Sequence, residues 1–161
     1  MSGAATAATL LMVVLAMALA FAPRQVALMA GALAIGTALA AGLFASAPAW
    51  LAFAGTWASL IVAALQVYWP RLAASRPWLC GLFAINAGAW SGLLAVHEPG
   101  SGGAPLFLLG LAAWLPAAWC IVQGWTIALR IVTSWLLAVS LLVGSVPWLI
   151  HHPGYVADHR G

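Results

Sequence analysis

The chain has 161 residues, of which 66% are hydrophobic and only 4% charged. Soluble domains carry roughly 25% charged residues to hydrate their surface, so this composition excludes a soluble globular domain and makes lipid the main solvent. The net charge of +3 comes from five arginines against one Glu and one Asp, too few for the clustered basic face that nucleic acid requires. A bilayer core about 30 Å thick takes roughly 20 apolar residues per helix, and six runs approach that length. The predicted fold is therefore an all-α, polytopic membrane helix bundle of six transmembrane helices forming one domain. The first run covers about 5–22 and stops at Pro23-Arg24; the second, about 26–45, stops at Ser46-Ala47-Pro48. The third covers about 50–69 and is closed by Pro70-Arg71, the start of a polar loop that runs through Arg76-Pro77. The fourth, about 78–96, leads into the flexible His97-Glu98-Pro99-Gly100-Ser101-Gly102-Gly103 segment. From Pro105 to Ile150 a nearly uncharged stretch would measure about 69 Å as one helix at 1.5 Å per residue. That is two crossings, about 105–123 and 130–150, turning near Gln123-Gly124 with Arg130 opening the sixth span. Residues 151–161 form a short polar tail.

Short loops rich in Arg or Lys stay in the cytoplasm. Arg24, Arg71, Arg76 and Arg130 all fall on one side of a six-span arrangement, and only Arg160 falls on the other. Both termini are thus expected outside, periplasmic or extracellular, with the protein in the inner membrane and the lipid bilayer as its first partner. Ala18-Leu19-Ala20 has the small-residue spacing of a signal-peptidase site. Met1–Thr9 has no basic residue, however, and cleavage would place Arg24 outside, so 5–22 reads as a retained helix.

The six spans hold no Asp, Glu, His or Lys, which disfavours ion-coupled pumps and transporters, since these carry ionisable groups at membrane depth. Cys80 and Cys120 lie in apolar runs with no metal-type or disulfide spacing. Polarity inside the spans is neutral, chiefly Thr56, Ser59, Gln66, Asn86, Ser91, Gln123, Thr133, Ser134, Ser140 and Ser145, and points to hydrogen bonds between helices. Small residues at three- or four-residue spacing mark close helix packing: Gly31, Ala34, Ala38 and Gly42 on the second span, and Ala84, Gly88 and Gly92, strictly four apart, on the fourth. Ten tryptophans are unusual. Trp50, Trp69, Trp78, Trp125 and Trp148 fall near span ends, where an indole suits the headgroup region. Trp57, Trp90, Trp114, Trp119 and Trp135 lie deeper; with Gln66 and Asn86 they are the candidates to line a cavity, against the plainer alternative of apolar packing.

The orientation also gathers His97, Glu98, His151, His152, Asp158 and His159 on the outer side. Imidazole and carboxylate are ligands for divalent Zn, Cu or Ni, so this cluster is the candidate metal site, although no spacing fixes a geometry. No other cofactor is expected.

Two motifs carry resemblances. Ser91-Gly92 is similar to the Gly-x-Ser-Gly nucleophile of intramembrane rhomboid proteases, but that chemistry needs a base at the same depth, and the histidines all lie outside the spans. The order Gly55-Thr56-Trp57, Gln66-Val67-Tyr68-Trp69-Pro70-Arg71, Arg76-Pro77-Trp78 and Asn86-Ala87-Gly88, followed by Pro105, Leu109-Gly110 and Pro116, resembles part of haem-copper oxidase subunit I. Those oxidases hold haem and copper through intramembrane histidines, and none is available here, so no ligand carries over. The resemblance implies a cofactor-free relative, a non-catalytic accessory or assembly subunit of a respiratory membrane complex. It would bind a membrane-protein partner or form a homo-oligomer. The alternative is a small transport or sensing protein that captures a divalent metal at the outer histidine cluster. No nucleophile–base pair or carboxylate dyad can be assembled within the spans, so an enzyme is not expected.

Overall fold

Proline opens most of the helices. The computed structural model describes residues 3–44, 46–96 and 109–150, which are mostly helical with no strand among them. The helices are α1 (Gly3–Leu19), α2 (Arg24–Phe44), α3 (Ala49–Tyr68), a short α4 (Pro70–Ser75), α5 (Pro77–Val96), α6 (Trp114–Val122) and α7 (Thr126–Ile150). Pro70 and Pro77 are first residues of α4 and α5, where the missing N–H costs no hydrogen bond and φ is already helical. Pro23 and Pro48 precede α2 and α3 and offer their carbonyls to the first turn, Ala27 N–H to Pro23 at 3.0 Å and Leu51 N–H to Pro48 at 3.0 Å. Three helices, α2, α3 and α5, are long and apolar enough to cross a membrane. At 1.5 Å per residue their 20 or 21 residues reach about 30 Å, the thickness of a hydrocarbon core.

Three expected boundaries move. The polar segment after Trp69 is not an open loop: Pro70 nucleates α4, and Leu72-Ala73-Ala74 are good helix formers. The fifth run is broken at Ala113, between a helical turn at 109–112 and α6. Pro116 accounts for the break, because its ring clashes with the carbonyl four residues earlier, at Ala112, and it has no N–H to donate there. The sixth helix begins at Thr126 rather than Arg130. Gly124, at φ 75°, ends α6 in a Schellman motif: its N–H bonds Ile121 at 3.0 Å and the Trp125 N–H bonds Cys120 at 2.8 Å. The turn therefore lies at Gln123-Gly124, as expected, but needs only one residue more before the chain is helical again.

α1 occupies the centre. It packs against α3, α5, α6 and α7, and Leu11, Met12, Val14, Leu15 and Ala16 are 0% exposed. α2 lies at the edge, mainly against α5. Its inward residues are the small Ala27, Ala30, Ala34 and Ala38, while Leu43 and Phe44 are 76% and 86% exposed.

Candidate functional site

Two contacts between helices and one polar end define what the bundle offers. The closest approach is between α2 and α5. A Cβ at Gly88 would run into the Ala34 carbonyl and Thr37 Oγ1, and one at Gly92 into the Ala38 backbone. Gly42 completes the crossing, 3.6 Å from the Gly92 carbonyl oxygen and 3.7 Å from Val96 Cγ2 when a Cβ is built on it. Ala84 is fully buried on the same helix. Gly31 differs, since a Cβ there would meet nothing within 4 Å. Thr37 turns its hydroxyl back on its own helix, donating to Leu33 O at 2.8 Å or Ala34 O at 3.1 Å, so it adds no bond across the crossing.

The second contact is polar and lies half-way along α3 and α5. Ser59 is the eleventh of the twenty residues of α3, and Asn86 the tenth of the twenty of α5. Asn86 Nδ2 donates to Ser59 Oγ at 2.6 Å, and Trp90 Nε1 donates to Asn86 Oδ1 at 3.0 Å. Asn86 and Trp90 are four residues apart and share a helix face. The Trp90 indole lies on Gly55, where any Cβ would fall within the ring's contact surface. Gly55 and Ser59, again four apart, thus receive Trp90 and Asn86 in antiparallel register. A carboxamide has two N–H donors and two acceptor lone pairs, so one of each remains free on Asn86 among the described residues, and the side chain is exposed.

The arginine end is set by α3 and α7. Tyr68 Oη hydrogen-bonds the Ser134 hydroxyl and donates to the Arg130 carbonyl at 3.3 Å. Deeper in, the Thr133 hydroxyl donates to Leu129 O at 2.8 Å and approaches Met17 Sδ at 3.9 Å. These contacts place the C-terminal ends of α1 and α3 beside the N-terminal end of α7. Arg24, Arg71, Arg76 and Arg130 therefore share one end of the bundle, and all four are exposed. The exposed rings of Trp69, Trp78 and Trp125 belong to the same end.

The deep tryptophans divide: Trp57 and Trp114 pack against one buried cluster and Trp57 and Trp90 against another, whereas two lie outside. Trp57 stacks edge-to-face on Phe53, centroids 5.7 Å apart, and its Nε1 has no partner. Trp114 Nε1 and Gln66 Nε2 are likewise buried without a partner. Trp119 and Trp135 stand on the outer surface, 54% and 65% exposed; Trp119 packs edge-to-face on Trp125 across the Gly124 turn. Ser91 is buried, and its Oγ has no hydrogen-bond partner, so no base stands beside it among the described residues. His97, Glu98, His151, His152, Asp158 and His159 lie outside the described residues. Among those described there is no histidine and no cluster of three His, Cys, Asp or Glu able to hold a metal.

Sequence reasoning singled out Asn86 and Trp90 but not Ser59 or Gly55 as their seats. The signal was present: two pairs at i, i+4 on helices joined by a short connection, one pair small and the other hydrogen-bonding. No protein-family model, curated protein or solved structure matches this chain.

Proposed function

We propose that this chain is a non-catalytic integral membrane protein that crosses the bilayer six times and acts by packing against a partner membrane protein, as an accessory or assembly subunit. The observation that carries the reading is how the polar groups are used. Asn86 bonds Ser59 from α5 to α3 and accepts from Trp90 on its own helix, and Tyr68 ties α3 to α7; Ser91 has no activating base among the described residues. Hydrogen bonds that run from one helix to another serve assembly. The respiratory, oxidase-like character of the complex rests on the motif resemblance alone.

The confinement of Arg24, Arg71, Arg76 and Arg130 to one end supports an orientation with that end cytoplasmic and both termini outside, in an inner membrane. A cysteine at Ser46 should react with an impermeant maleimide in intact cells, and one at Ser75 only after permeabilisation. Labelling of the Ser75→Cys variant in intact cells would invert the topology. The functional reading is tested by extracting the tagged chain from its native membrane in mild detergent and weighing what co-elutes. Recovery in a stoichiometric assembly with haem-containing subunits is the expected result. Elution of the chain with no other protein would remove the accessory role.

A further inference from the structure

Asn86 sits where a polar side chain has no lipid partner. It lies at the middle of α5, at the depth of the hydrocarbon centre if the helix crosses the bilayer, and it is exposed. Its contacts to Ser59 and Trp90 occupy half of its hydrogen-bonding capacity. Lipid tails neither donate nor accept, so the spare N–H and the spare lone pair are satisfied only by another protein surface at that depth. Around it the outer faces of α3 and α5 are apolar, with Ala58, Val62, Leu82 and Ile85 exposed, so nothing else at this level competes for the amide.

We infer that this face is the contact between two copies of the chain, paired through reciprocal Asn86–Asn86 hydrogen bonds about a twofold axis along the membrane normal. The occupant follows from two properties. The spare groups are one donor and one acceptor, so a carboxamide is complementary to itself. Two copies inserted in the same orientation also carry Asn86 at the same depth, which a twofold contact requires and which an unrelated partner would have to match by its own sequence. The seat is prepared in advance: Ser59 accepts from the amide nitrogen and Trp90 donates to the amide oxygen, reducing the rotamer freedom lost on pairing. The α2 edge presents no such group at that depth: its exposed carboxamide, Gln25, is the second residue of the helix, and farther along Leu28, Met29, Leu33, Leu39 and Leu43 face outward.

This inference rests on the reading that the chain works by helix packing and names one partner for it. The test is dilution of donor- and acceptor-labelled full-length chain in lipid vesicles, with energy transfer reporting association at each protein-to-lipid ratio. The wild type should associate, and Asn86→Leu should require about tenfold higher protein density, the loss expected for two interhelical hydrogen bonds. Asn86→Gln should restore much of the association, and Leu43→Ala on the α2 edge should leave the curve unchanged. Circular dichroism on each variant separates loss of pairing from loss of the fold; if Asn86→Leu does not fold, Ile85→Trp, which leaves the amide and its seat in place but obstructs the face, must lower association instead. A wild type monomeric at every ratio, or identical curves for wild type and a folded Asn86→Leu, would overturn the inference. Monomers in vesicles together with a stoichiometric partner in the native extract would leave the accessory reading standing. Pairing in vesicles with no other protein in the extract would do the reverse.

Discussion

α1 and α2 are neighbours in sequence and both apolar, yet they end in opposite places. α1 buries Leu11, Met12, Val14 and Leu15 on all sides of its axis, and α2 buries only alanines and turns its leucines outward. Hydrophobicity does not separate the two positions, because lipid tails are as apolar as leucine and give no drive to hide one. Residue size does. On α2 the small side chains allow Gly88 and Gly92 of α5 to approach the Ala34 and Ala38 carbonyls, and close backbone contact replaces the exclusion of water as the force that holds the pair.

The contrast is broken most severely by cutting volume from α1. Leu15→Ala should destabilise the bundle by roughly 2 kcal/mol, the low end of the range for buried leucine because lipid rather than water receives the side chain in the unfolded reference. The same change at Leu43 on α2 should cost less than about 0.5 kcal/mol, with unfolding in mixed detergent micelles comparing the two. Gly88→Val comes next. It should separate α2 from α5 and cost about 1–3 kcal/mol through overpacking, visible as a longer distance between spin labels on the two helices. Gly31→Ala carries the opposite sign, because its Cβ enters open space and a mid-helix glycine costs roughly 0.5–1 kcal/mol relative to alanine; a raised midpoint of thermal unfolding is the expected readout. Smallest of all, Ser59→Ala should cost about 0.6 kcal/mol, the typical worth of one interhelical hydrogen bond in a membrane. It should also alter the Trp90 emission by loosening the amide that accepts its N–H.

Much of this was legible in the residues. The spans at 26–45, 50–69 and 78–96 lie within two residues of α2, α3 and α5, because proline and arginine punctuate them. The four-residue spacing of Gly88 and Gly92 marked the α5 face that α2 uses. What was not legible arose where local chemistry competes with apolar length. Pro116 interrupts a run that hydropathy reads as continuous, and Arg130 looks like a helix start although Gly124 and Trp125 have already turned the chain. Gly31 matched the small-residue spacing of Ala34, Ala38 and Gly42, yet the buried stripe of α2 runs through Ala27, Ala30, Ala34 and Ala38 and leaves Gly31 beside it. The tryptophans were harder still, since depth along a helix does not say which way a ring points: Trp90 lies on Gly55, whereas Trp119 and Trp135 face outward.

The central place of α1 also bears on the order of assembly. Chains are made from the N-terminus, so in the six-span arrangement proposed above the helix that finishes with neighbours on every side would enter the membrane before most of them exist, and α6 and α7 would reach it last. A helix that must wait in that way has to be at ease alone in lipid, and from Ala4 to Ala22 α1 and its exit carry no charged residue. The same featureless surface that lets it wait cannot choose its partners by charge. Late steps of biogenesis then depend on shape, on the fit of Gly110 against Met12 and of Thr133 against Met17, and faults in the C-terminal half would first appear as an N-terminal helix left unguarded.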